Sequence, residues 1–149
     1  MQKTTKPTKQ SNIKRAWYLI DVEDKVLGRI SSHIALLLMG KSKPYFVKNL
    51  DCGDYVVVIN ARKVKVTGKK EEKKIYTRYS GYPGGLSRRT VKEVREKNAS
   101  ELVRHAVSGM LPKNKLRDRM LKRLYVFSES EHPYSDKIKD QILNIKNTN

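Results

Sequence analysis

Met39, Gly40, Lys41 and Ser42 spell the closing letters of a P-loop, so the first chemistry to test against this chain is nucleoside triphosphate binding. A P-loop needs a glycine five residues before Gly40, and Ala35 stands there. Its phosphate-cradling amides must also open a helix, whereas Gly40 falls where a helix has to close, and Pro44 forbids a fresh helix just beyond. Lys41, Lys43 and Lys48 read instead as a solvent-facing basic loop that can rest on phosphate. The first strand-to-helix turn holds Gly28 alone and lacks the three-glycine dinucleotide fingerprint. His33, His105 and His132 are far apart, and Cys52 has no second cysteine at metal-ligand spacing. Asp51 with Asp54 could cap a turn or hold a cation, and the turn is favoured. No catalytic residue, metal or cofactor is expected.

Two other constellations carry more. Arg78, Tyr79, Ser80, Gly81, Tyr82, Pro83, Gly84 and Gly85 are followed by Ser87, Arg88 and Arg89. The glycines and the proline permit a tightly shaped loop, the tyrosines offer planar faces, and the arginines offer forked donors. RNA recognition uses those ingredients: guanidinium to phosphate, aromatic plane to base, and small residues where backbones approach. The second constellation begins at Lys113. A helix over 114–123 would turn Leu116 and Met120 inward and Lys115, Arg117, Arg119, Lys122 and Arg123 outward, with Asp118 as their only acidic neighbour. A face without alternating signs does not pair with itself, so phosphate contact is the better account.

The whole composition agrees with that partner. A net charge of +18 on 149 residues, from 33 Lys and Arg against 15 Asp and Glu, repels itself unless a polyanion surrounds it. The 38% apolar content and spaced apolar runs still allow one real core, which excludes a disordered polycation. No apolar run reaches the length of a membrane helix, and no signal-peptide pattern follows the start, so no membrane partner is expected. With both phosphate-binding fingerprints missing, no small-molecule substrate is expected either. The single cysteine excludes an internal disulfide and fits a reducing compartment.

The elements that must position these residues follow from periodicity. Residues 17–22 predict a buried strand, and Leu27, Ile30, Ile34, Leu37 and Leu38 predict a helix over 27–39 closed by Gly40. The unbroken Val56, Val57, Val58 run predicts a strand buried on both faces over 55–60, making a βαβ unit with parallel strands. Residues 63–67 fit either a half-exposed strand or an irregular connection, and 75–79 a short strand. Thr90 with Glu93 forms a capping box and Asn98 with Glu101 a looser one, opening a helix that ends at Pro112. Residues 124–127 predict the last strand. Residues 1–16, with Arg15 at their end, read as a basic arm, 17–133 as the α/β domain, and 134–149 as a tail. In the tail, Ile138, Ile142 and Ile145 are spaced for a short docked helix.

At these residues the chain resembles the large-subunit ribosomal protein thirteen family in its bacterial form. The resemblance covers roughly 17–133. It is carried by Val26, Leu27, Gly28 and Arg29; by Asp51, Gly53 and Asp54; and by Asn60, Ala61, Thr67, Gly68 and Lys69. It continues through Ser80 to Gly85, through Ala106, Val107, Ser108, Gly109, Met110, Leu111, Pro112, Lys113 and Asn114, and through Glu131, His132 and Pro133. It implies a three-layer α/β/α fold around a small, mainly parallel sheet, Rossmann-like without the dinucleotide loop. It also implies a non-catalytic scaffold that binds large-subunit ribosomal RNA early in assembly, beside the ribosomal proteins numbered three and twenty. The ribosome would be cytoplasmic, an organellar one fitting the same residues. By position it suggests Lys69, Arg78, Tyr82, Gly84, Gly85, Lys113 and His132 for RNA-facing or loop-shaping roles, and Lys70 and Tyr79 lie beside them. The chain departs from the family pattern at Tyr79, at Arg117, at Glu129 and Ser130, and after Pro133, which puts contacts near the C-terminus in question.

Overall fold

The computed structural model describes residues 7–138. Three parallel strands form the central sheet in the order β1 (Trp17–Asp21), β2 (Tyr55–Ile59), β5 (Leu124–Val126). Trp17 lies opposite Tyr55 and Asp21 opposite Ile59, while Val56 and Val58 lie opposite Leu124 and Val126. Side chains alternate between faces along each strand, so this register places Ile20, Val56, Val58 and Leu124 together on one side. The helices α1 (Leu27–Met39) and α3 (Val91–Met110) pack against each other, and Ile30, Ile34, Leu38, Leu102, Val103 and Val107 close a common core with those strand residues.

The opposite face carries Trp17, Tyr55, Val57 and Tyr125. The Trp17 ring stacks on Tyr55 at 4.4 Å between centroids and is covered by Tyr134 at 5.3 Å. Val57, in the central strand, is fully buried there, as its uninterrupted valine run implies. The α/β class and the parallel sheet are as expected, but the layers are unequal. Among the described residues, the outer cover of this face is residues 132–138, with a single 3-10 turn at Ser135–Lys137, in place of a full helix. The expected tail helix through Ile142 and Ile145 falls outside the described residues.

α1 has the predicted bounds, and Gly40 closes it in the left-handed conformation at φ 72°, where a side chain would also strike the Cys52 carbonyl. Gly40 therefore ends a helix, which removes the P-loop geometry. Residues 61–63 form a 3-10 turn, and the extended chain after them touches Val26 through one parallel bridge at Lys65. A short helix α2 (Lys70–Lys73) leads to a two-stranded antiparallel hairpin of β3 (Ile75–Tyr79) and β4 (Leu86–Thr90). β4 is not anticipated from the sequence, because Leu86 to Thr90 reads polar and nearly all of it is exposed.

α3 begins with the predicted capping box: Glu93 N–H donates to Thr90 Oγ1, and Thr90 N–H donates to Glu93 Oε2. A kink at Asn98 splits it, and Asn98 Oδ1 accepts the Ser100 amide and so caps the second half. The basic helix predicted over 114–123 contracts to α4 (Arg117–Leu121), because Asn114 caps a turn with its side chain on the Leu116 amide, and a tight turn at Arg123 leads directly into β5.

Candidate nucleic-acid interface

The basic residues divide into those that the fold consumes and those that it leaves free. Arg123 belongs to the first group. It is only 7% exposed, its guanidinium grips both carboxylate oxygens of Asp51, and it donates to the Leu38 and Asp54 carbonyls at 3.3 Å. The outward orientation expected of Arg123 is corrected: helix α4 ends before it, so its direction is set by β5 and not by helical phase. Lys43 is likewise no free loop cation. Its ammonium donates to Asp54 Oδ1 at 2.5 Å, to the Lys14 carbonyl at 2.7 Å and to the Cys52 carbonyl at 2.9 Å.

Asp54 also accepts the Ala16 amide at 2.8 Å, and Arg15 donates to the Gly53 and Asp51 carbonyls at 2.6 and 3.1 Å. Asp51 shapes the expected turn by accepting the Gly53 amide at 3.5 Å, and the cations that Asp51 and Asp54 hold are the chain's own. Together they tie the chain entering β1, the loop after α1 and the entry to β5. Gly53 sits at the centre, where a Cβ would lie 1.7 Å from the Leu38 carbonyl oxygen. Burial, with the Asp54 carboxylate nearby, raises the Tyr18 phenol above its ordinary pKa. Arg117 is half-buried and donates to the Ser108 carbonyl and hydroxyl at 2.7 and 2.6 Å, so it ties α4 to α3. His132 is half-buried as well, and its Nδ1 accepts the Tyr134 amide, which shapes the segment over Trp17.

Ion pairs among the described residues use Arg15, Lys43, Lys63, Lys65, Arg95 and Arg123 as their cations. Lys41, Lys69, Lys70, Arg78, Arg88, Arg89, Lys113, Lys115, Arg119 and Lys122 are exposed and stand outside those pairs. Arg119 and Lys122 flank a cleft with Arg15 at the base of the N-terminal arm, which brings the two ends of the domain's basic sequence together.

The hairpin holds the other free group. Its turn is closed by the Gly85 amide on the Tyr82 carbonyl at 2.9 Å, with Gly81 and Gly84 at φ 91° and 74°, a conformation that favours glycine. Pairing of Tyr79 with Leu86 and Thr77 with Arg88 puts Ile75, Thr77, Tyr79, Leu86 and Arg88 on one face. Tyr79 is 63% and Tyr82 76% exposed, so neither aromatic serves the core. The opposite face turns Tyr76, Arg78, Ser87 and Arg89 towards a hollow beside Leu102 and His105 of α3. This loop is exposed and basic, as its sequence implies, whereas nothing in the sequence marks Arg29 and Lys74 as phosphate contacts, and they share a groove with Lys70. Arg29 has no acid three or four residues away, but Glu71 stands three residues before Lys74, so charge spacing alone does not mark the pair.

This arrangement can neutralise phosphates and offer aromatic planes at a protruding loop. The described residues contain no cluster of metal-ligating side chains, and no described helix is long and apolar enough to cross a membrane. Residues 15–133 match the family described as Ribosomal protein L13. Large ribosomal subunit protein uL13 of Thermosipho africanus is 50% identical over 135 residues, covering 91% of this chain and 90% of that protein. Its counterpart in Aquifex aeolicus is 49% identical over 138 residues, with 93% and 95% covered. That of Geobacillus kaustophilus is 49% identical over 132 residues, with 89% and 91% covered. With the matched region spanning the sheet, both long helices and the hairpin, the chain belongs to the ribosomal protein L13 family.

Proposed function

We propose that this chain is a structural constituent of the large ribosomal subunit that binds its ribosomal RNA and supports early assembly, by phosphate neutralisation and by docking the 75–90 hairpin. The observation that carries this is the hairpin itself, where exposed tyrosines stand among arginines that have no carboxylate partner among the described residues. A loop that served only its own domain would pack those rings. Family membership sets aside the nucleotide-dependent enzyme, and the relatives' name supplies the particle. Neighbours of the kind numbered three and twenty, and a cytoplasmic ribosome, belong to the same proposal.

Replacing both Arg88 and Arg89 by alanine is expected to weaken binding to a large-subunit RNA transcript while leaving the circular dichroism of the free protein unchanged. Affinity should also fall steeply with salt, the logarithmic slope being about 0.7 to 0.9 per neutralised phosphate. Equal affinity for duplex DNA and for folded ribosomal RNA in competition would favour a non-specific DNA compactor instead.

A further inference from the structure

A groove of about 540 Å³ lies between the start of α1, α2 and the end of α3, within the ~300–1,000 Å³ range of sites that enclose small organic groups. Its floor is apolar, with Leu27, Val66, Tyr76 and Met110. Its rim carries Arg29, Lys70 and Lys74, and among the described residues no carboxylate lines it. All three cations are exposed and none is ion-paired among the described residues, while Lys74 Nζ stands 5.1 Å over the Tyr76 ring. Tyr76 is held edge-on to His105 at 4.8 Å, so the floor presents a fixed aromatic surface.

Gly28 and Gly109 form two of the groove's walls. Both lie inside helices, neither has a positive φ, and a Cβ on either would meet nothing within 4 Å. The fold would accept alanine at both positions, and alanine is the better helix former. The missing side chains therefore leave space that none of the described residues fills.

We infer that this groove receives an unpaired nucleotide of the RNA, its base against the Tyr76 and Met110 floor and its phosphates on Arg29, Lys70 and Lys74. The inference rests on the proposed RNA binding and adds a second contact, separate from the outward face of the hairpin. An acid-free cationic rim complements a phosphodiester, and a concave apolar floor accepts a base only when that base has left its stack.

The test uses the full chain and a transcript of large-subunit ribosomal RNA containing photoreactive thiouridine. Gly109→Leu fills the groove, and Gly28→Ala with Gly109→Ala narrows it. Both variants should melt at or above the wild-type temperature. Gly109→Leu should weaken RNA binding about tenfold or more and abolish a crosslink between unpaired nucleotides and the peptide containing Tyr76 or Met110. Wild-type affinity and crosslinking in a folded Gly109→Leu variant would overturn the inference and leave the hairpin contact standing. Crosslinks confined to paired nucleotides would overturn it too. So would normal RNA affinity with lost incorporation into subunits, which assigns the groove to a protein segment. A wild-type chain that fails to bind the transcript would instead remove the broader proposal.

Discussion

Arg123→Met should destabilise the protein severely without removing a phosphate contact. The side chain is 8% exposed and its Asp51 partner 10%, so the two charges meet away from solvent screening. Two charge-assisted hydrogen bonds link them, each worth roughly 1.5 to 3 kcal/mol, with weaker bonds to the Leu38 and Asp54 carbonyls. Breaking a buried pair by removing one partner typically costs about 3 to 5 kcal/mol, because the other charge stays behind. Here Arg15, 3.7 Å from Asp51, offsets only part of that cost. With a urea dependence of about 2 kcal/mol per M, the unfolding midpoint should fall by roughly 1.5 to 2.5 M. Against a total stability of about 5 to 15 kcal/mol, the variant would be marginal. The double variant with Asp51→Leu should recover much of the loss, since neither charge is then stranded. RNA affinity of the folded fraction should keep its salt slope. A stability loss below about 1 kcal/mol, or a slope reduced by about 0.7 to 0.9, would show that Arg123 serves phosphate and that the buried pair is misassigned.

Leu38→Ala should cost about 2 to 5 kcal/mol, because Leu38 is fully buried, whereas Leu37, only partly covered beside it, should cost less; equal losses by chemical denaturation would contradict the helix phase. Thr90→Ala should cost roughly 0.5 to 2 kcal/mol through loss of the reciprocal cap, and an unchanged melting temperature would mean that the cap contributes nothing. The Tyr18 phenol is raised in the folded state, so above pH 10 the unfolded chain loses that proton first and stability declines as pH rises towards the folded value. Tyr18→Phe should flatten part of the decline in melting temperature between pH 9 and 11, and an unaltered decline would exclude Tyr18 as its source.

The βαβ unit was legible because its apolar residues obey simple periods: Leu27, Ile30, Ile34 and Leu38 for the helix, and the Val56 to Val58 run for the central strand. The capping box at Thr90 and the looser cap at Asn98 were legible because they are local, complete within a few residues. Arg123 and Lys43 were not. Their carboxylate partners, Asp51 and Asp54, are distant in sequence or lie across a turn, and nothing near a lysine or arginine records whether a carboxylate awaits it in space. In a chain so rich in cations, the scarce acids were the better clue, since burying one requires a cation beside it. The strand Leu86–Thr90 escaped for a related reason: its residues are nearly all exposed, so it has no apolar alternation to read. The same exposure is what fits the loop for a partner.

The aromatic stack over the sheet gives the molecule a built-in optical reporter. Trp17 is the only tryptophan in the chain, and its indole lies between Tyr55 of the sheet and Tyr134 of the segment laid across it, with the Lys137 ammonium 5.1 Å from the ring. Lifting residues 132–138 would uncover the indole to water and withdraw the neighbouring positive charge in one movement, shifting its emission. Without any added dye, the fluorescence of the native protein can thus follow the seating of its C-terminal strap, both in free solution and as the chain enters a ribonucleoprotein.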